Sequence, residues 1–149
     1  MLIDKIKERF GEKVVIFEKN SHRVFIETGK DNAKELVRYM FRDLGARFSI
    51  ASGVDTRPAV EILYHMAFDK HNLILTVRVE VEKPSLEMPT FSDFMPAAEW
   101  IEREIYEMFG VNFIGHPKLE TLLLPDDWPQ GVYPLRKNTF DSEKENKEI

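Results

Sequence analysis

A chain of 149 residues has room for one domain with a real core, since a domain of this size buries roughly 70% of its unfolded surface. It contains no cysteine, which excludes disulfides and thiolate ligands for zinc or an iron–sulfur cluster, so a redox centre would have to belong to a partner. The formal net charge of -5 argues against phosphate-backbone binding, because that needs a concentrated basic footprint, and no nucleic-acid partner is expected.

No apolar run reaches the roughly 18 residues of a membrane span, and Met1-Leu2-Ile3-Asp4-Lys5 lacks the basic start and apolar stretch of a signal peptide. A soluble, cytoplasmic chain with no direct membrane span is expected.

Leu2, Ile3, Ile6 and Phe10 fall at helical spacing before Gly11, predicting a short first helix. Val14-Val15-Ile16-Phe17 and Arg23-Val24-Phe25-Ile26 are β-rich runs around Asn20-Ser21 and predict a hairpin. Asp31 or Asn32 is placed to cap a helix whose Ala33, Leu36, Val37, Met40, Phe41 and Leu44 share a face before Gly45. Phe48 and Ile50 alternate toward Gly53, then Val60, Ile62, Tyr64, Met66 and Phe68 form a period-two row. Leu73, Leu75, Val77, Val79 and Val81 repeat it after the turn at Asp69-Lys70-His71-Asn72, so three antiparallel strands are expected.

A Pro-containing linker from Lys83 to Met95 leads to Pro96, suited to the first turn of a helix that Gly110 ends. On that helix Ala97, Ile101, Ile105, Met108 and Phe109 fall on one side, while Glu99, Glu102, Arg103 and Glu107 point elsewhere, with Glu99 and Arg103 spaced as an exposed ion pair. The order predicts an α+β fold: a two-layer sandwich with a mixed, roughly five-stranded sheet and helices on one face. It divides the chain into an α+β domain (residues 1–111), a long irregular docking segment (112–140) and a charged tail (141–149).

The docking segment shows no sustained period yet holds Phe113, Leu119, Leu122, Leu123, Leu124, Trp128, Val132, Tyr133, Leu135 and Phe140. Long irregular segments of this kind are usually functional or disordered, and this one is too apolar for ordinary disorder. Pro117, Pro125, Pro129 and Pro134 stiffen it, lowering the entropy lost on docking. It is expected to lie across another subunit, the alternative being that it wraps this domain's own sheet. Truncation after residue 111 is then expected to leave a folded domain that no longer assembles.

His22, His65, His71 and His116 form no compact metal pattern. His65 is expected to bond a neighbour or face a partner, and His116 to fix its loop by hydrogen bonds. Glu102 and Glu104, two apart on a helix, do not share a face and cannot form a paired-carboxylate site. Glu104 buried against Arg136 or backbone amides is a reasonable structural role. With no phosphate loop, nucleophile elbow or cysteine, no catalytic residue is expected.

Glu102-Arg103-Glu104, Glu107-Met108-Phe109-Gly110, Gly115-His116-Pro117 and Pro134-Leu135-Arg136-Lys137 together resemble the signature of the 30 kDa-type subunit of the respiratory complex I peripheral arm. Ile62-Leu63-Tyr64-His65 and Pro96-Ala97-Ala98-Glu99-Trp100 carry the resemblance further, over roughly residues 45 to 140. Glu120-Thr121, where a basic pair is usual, and Asn138, where an acid is, depart from the pattern. The family extends to energy-converting membrane-bound [NiFe]-hydrogenases and ferredoxin-linked relatives, and Trp128-Pro129-Gln130-Gly131-Val132-Tyr133, with no longer C-terminal extension, resembles that branch more.

The resemblance implies a non-catalytic scaffold, peripheral on the cell membrane, with no cofactor of its own. It would brace a large quinone-site or NiFe-bearing subunit and a small [4Fe-4S] subunit, beside a ferredoxin-like subunit in some relatives. The partner-binding residues implied are Glu102, Arg103, Glu104, His116, Pro117, Trp128, Tyr133, Leu135, Arg136 and Lys137.

Overall fold

The computed structural model describes residues 1–137; the expected charged tail and the last three residues of the docking segment lie outside them. Helix α1 (Leu2–Phe10) buries Ile6 and Phe10, one turn apart, and carries Asp4 in its first turn and Lys7 and Arg9 in its last, each sign matched to the helix dipole. Helix α2 (Lys30–Arg42) buries Ala33, Leu36, Val37 and Met40 of the predicted stripe, while Phe41 is half-buried and Leu44 lies past the end of the helix. Its N-cap is Gly29 rather than Asp31 or Asn32, which fall inside the first turn, and no side chain caps it. There the carboxylate of Asp31 acts on the dipole instead of on one amide.

One sheet has the strand order β1-β2-β5-β4-β3. Strands β1 (Val14–Asn20) and β2 (Arg23–Thr28) form the predicted hairpin. Strand β4 (Ala59–Phe68) pairs antiparallel with both β3 (Arg47–Asp55) and β5 (Leu73–Glu82), and β5 pairs in parallel with β2, which makes the sheet mixed. Val24, Ile26, Val60, Ile62, Tyr64, Met66, Leu75, Val77, Val79 and Val81 meet the helices on one face and are all at most 2% exposed. The opposite face leaves Val15, Phe17, Ile50 and Val54 in solvent. It also holds Arg78 among Glu27 (2.7 Å), Glu61 (2.5 Å) and Glu80 (3.7 Å).

A second sheet pairs β6 (Glu87–Pro89) in parallel with β7 (Asn112–Ile114). Both are three residues long, too short to show a period, so one lies in the stretch read as linker and the other past the boundary drawn at residue 111. Between them runs α3 (Ala98–Phe109), closed by Gly110 in the left-handed region at φ 80°. A Cβ on Gly53 of β3 would stand 2.5 Å from the Phe109 ring, so this glycine lets α3 lie down on the sheet.

Candidate functional site

The side of α3 that meets the core is Ala98, Glu102, Ile105 and Phe109, a continuous i, i+4, i+7, i+11 stripe, while Ala97 is exposed. This corrects the expected orientation, because it puts a carboxylate in the middle of the buried face. Glu102 is fully buried. Its Oε1 accepts the amide of Phe91 at 2.7 Å and its Oε2 the hydroxyl of Thr90 at 2.5 Å. Thr90 is in turn bonded by the Ser92 amide at 3.1 Å. Burial pushes the Glu102 carboxyl up to about 7, against the pull of the Thr90 and Phe91 bonds. Glu102 therefore fastens the 90–92 turn inside this chain and offers no surface to a partner.

His116 closes the same corner. The amide of Lys118 donates to Nδ1 at 3.0 Å, so Nε2 carries the proton and donates to the Glu99 carbonyl at 2.9 Å. Its side chain is buried, with Nε2 3.9 Å from Glu102. This is the loop-fixing role expected of it. His65 likewise bonds neighbours, Ser52 at 3.2 Å and Thr76 at 3.0 Å.

A second buried carboxylate, Glu107, organises the docking segment. Its two oxygens accept the amides of Leu122 (2.8 Å), Leu123 (2.8 Å) and Leu124 (3.3 Å). Arg103, instead of pairing with Glu99, donates to the carbonyls of Glu120 (3.0 Å) and Thr121 (2.7 Å). One helix thus grips consecutive residues of the segment by carbonyl and by amide. The role imagined for Glu104 belongs to Glu107: Glu104 is half-buried and has no hydrogen-bond partner among the described residues. A signal existed, since an acid in the last turn of a helix with no basic residue there opposes the dipole and needs donors from elsewhere.

The end of the segment returns to the domain. Trp128 Nε1 donates to the Val132 carbonyl at 2.8 Å, closing a loop over Pro129-Gln130-Gly131. A Cβ on Gly110 would stand 2.7 Å from the Tyr133 ring, so the helix-ending glycine also seats Tyr133. Arg136 lies 5.2 Å from the centroid of that ring and donates through Nε to the Phe109 carbonyl at 2.6 Å. It anchors the segment to this chain, where a partner's groups had been expected. The amide of Leu135 bonds the Met108 carbonyl at 3.1 Å, and that of Lys137 the Asp55 carboxylate at 2.9 Å. Asp55 also meets Lys83 at 2.6 Å. Burial pushes its carboxyl up, but Lys83 and the Lys137 amide hold it below the ordinary carboxylate value.

The segment is therefore a strap tied to its own domain, to α3 and to the end of β3 instead of across the sheet as the self-wrapping alternative had it. Its outer side still leaves Leu123 62% and Leu135 55% exposed, with Pro117 and the Lys137 side chain in solvent. Trp100 on α3 and Ile114 on β7 are exposed too. Among the described residues no group of His, Asp and Glu is arranged to hold a metal ion.

The sequence profile of the respiratory-chain NADH dehydrogenase 30 Kd subunit matches residues 26–145, from β2 through the strap. The chain belongs to that family. The match starts earlier than the motifs that carry the resemblance, so it takes in most of the sheet.

Within the 30 Kd subunit family, the chain is 34% identical to the membrane-bound hydrogenase subunit beta of Pyrococcus furiosus, over 91% of this chain and 83% of that one. It is also 34% identical to a subunit of the NADH-quinone oxidoreductase of Chloroherpeton thalassium, over 89% of this chain and 57% of that one. Similarity to formate hydrogenlyase subunit 5 of Escherichia coli is 37% over 72% of this chain, which spans only 20% of that longer protein. A chain in the structure of the membrane-bound sulfane sulfur reductase, an archaeal respiratory membrane complex, superposes with a TM-score of 0.84 over 99% of this chain and 90% of its own, at 24% identity. That likeness shows the shared fold.

Proposed function

We propose that the chain is a non-catalytic structural and assembly subunit of a complex I-like membrane-bound oxidoreductase, of the energy-converting [NiFe]-hydrogenase type. It braces a large catalytic subunit and a small [4Fe-4S] subunit on the cytoplasmic side of the membrane. Family membership supports the class of assembly. The observation that carries the bracing role is the strap: its backbone is pinned to α3 by Glu107, Arg103 and Arg136, while Leu123 and Leu135 face outward. A preformed apolar surface of this kind suits a permanent interface, because little ordering remains to be done on binding.

No helix among the described residues is long and apolar enough to cross a membrane, so attachment in this reading runs through partner subunits. Equal identity to a hydrogenase subunit and to a quinone oxidoreductase subunit keeps NADH:quinone or sulfur-reducing assemblies as the second reading. The test is native purification from source membranes through an N-terminal tag, with mass spectrometry and metal analysis. Iron–sulfur and membrane subunits are expected in the eluate, with nickel marking the hydrogenase type. A lone chain would overturn the reading.

A further inference from the structure

Where the strap turns away from α3 it encloses a cavity of about 490 Å³ against the last turn of that helix. Its wall combines three aromatic residues, Tyr106, Trp128 and Tyr133, with two acids, Glu107 and Asp126, and no lysine, arginine or histidine lines it. Glu107 is almost fully buried and gives both oxygens to backbone amides, so the acid open to the cavity is Asp126, which has no ion-pair or hydrogen-bond partner among the described residues. Of the two guanidinium groups that touch the strap, Arg103 is engaged on the carbonyls of Glu120 and Thr121, and Arg136 on that of Phe109 with its guanidinium 5.2 Å from the Tyr133 ring. That leaves Tyr106, Trp128 and Asp126 as a part of the wall that no cation among the described residues occupies.

We infer that this cup receives an arginine side chain, carried on a basic loop or chain end of a partner subunit. Aromatic faces and a carboxylate are the combination that binds a guanidinium, which is planar, weakly hydrated and able to stack while it donates. Arg136 already places its guanidinium over Tyr133 from within the chain. The volume exceeds one side chain and matches a loop tip with its flanking residues. Charge complementarity sets the partner's sign, and continuity with the exposed strap sets its direction of approach. The inference deepens the bracing role above and rests on it.

Two measurements test it. Isolated full-length chain carrying Trp100→Phe leaves Trp128 as the sole indole, and its emission is titrated with N-acetyl-arginine amide and, in parallel, with the neutral isostere N-acetyl-citrulline amide. A saturable response to arginine alone, weakened at least fivefold by Asp126→Asn, is expected. Equal response to both probes, or to neither, overturns the cup. In the tagged purification Asp126→Lys is expected to cut recovery of partner subunits at least tenfold relative to wild type, and Asp126→Asn less. Undiminished recovery with Asp126→Lys would overturn the inference even though wild-type recovery upholds the bracing role. Absence of partners from the wild-type eluate would count against the bracing role alone, because the titration judges the cup by itself.

Discussion

Two carboxylates on one helix are fully or almost fully buried, and they differ in what compensates them. Glu102 has one amide and one hydroxyl and a carboxyl raised to about 7 from an ordinary 4.5, burial being the main cause, with Asp93 adding to the rise and Lys34 opposing it. A raised carboxyl means that between these two pH values the folded chain holds a proton that the unfolded chain has lost. The group's contribution is complete below about 4.5 and is lost as pH rises through about 7. Glu102→Gln keeps the shape and removes the titration. Its urea stability is expected to fall less than the wild type's between pH 5 and pH 8, by about 3 kcal/mol at most. Parallel wild-type and variant curves would contradict this account.

Glu107 takes three amides, so its loss leaves three part-buried donors without their acceptor. Glu107→Ala is expected to destabilise the chain by on the order of 3 kcal/mol. Hydrogen exchange should show the loss of protection at the Leu122, Leu123 and Leu124 amides first. Retained protection there would mean that the strap is held by its apolar contacts instead.

At the scale of elements, the joint between α3 and the strap is Gly110. A side chain there meets both a left-handed φ of 80° and the Tyr133 ring 2.7 Å away. Gly110→Ala is expected to cost about 2 kcal/mol and to shift Trp128 emission as the strap lifts. An unchanged melting temperature would show that Tyr133 can give way freely.

Elements whose partners lie in their own pattern were legible from sequence. The alternation of β4 matches its buried row at every predicted position, and the stripe of α2 and the row of β5 match except at their ends, where Phe41, Leu44 and Leu73 are half-buried. The parallel pairing of β2 with β5 was not, because nothing local marks a pairing that spans two intervening strands and a helix. Nor were β6 and β7, at three residues each. In the candidate site the loop-fixing role of His116 was legible from its flanking Gly115 and Pro117. The burial of Glu102 stood in the sequence as an acid between Ala98 and Ile105, but charge was read as exposure. The inward grip of Arg103 and Arg136 on carbonyls depends on tertiary placement alone, so those side chains were assigned to a partner.

For the molecule as a whole, the bonds that tie the strap to α3 and β3 lead us to expect that strap and domain unfold as one cooperative unit. Truncation after residue 111, expected from sequence to leave a folded domain, would strip Phe113, 2% exposed, from the core and leave Glu107 buried without its amides. Such a chain is expected to be insoluble or molten on near-ultraviolet circular dichroism. A truncation after residue 137 keeps every anchor described above and is expected to melt with the full chain. A cooperative native melt of the 1–111 fragment would show that the strap is an independent attachment.

The bond between Asp55 and the amide of Lys137 joins positions 82 residues apart, and it has a consequence for synthesis. The N-terminal half cannot neutralise that buried acid fully until residue 137 has left the ribosome. Native structure is therefore expected to complete only after the strap has emerged, and a nascent chain arrested before that point should remain a substrate for chaperones.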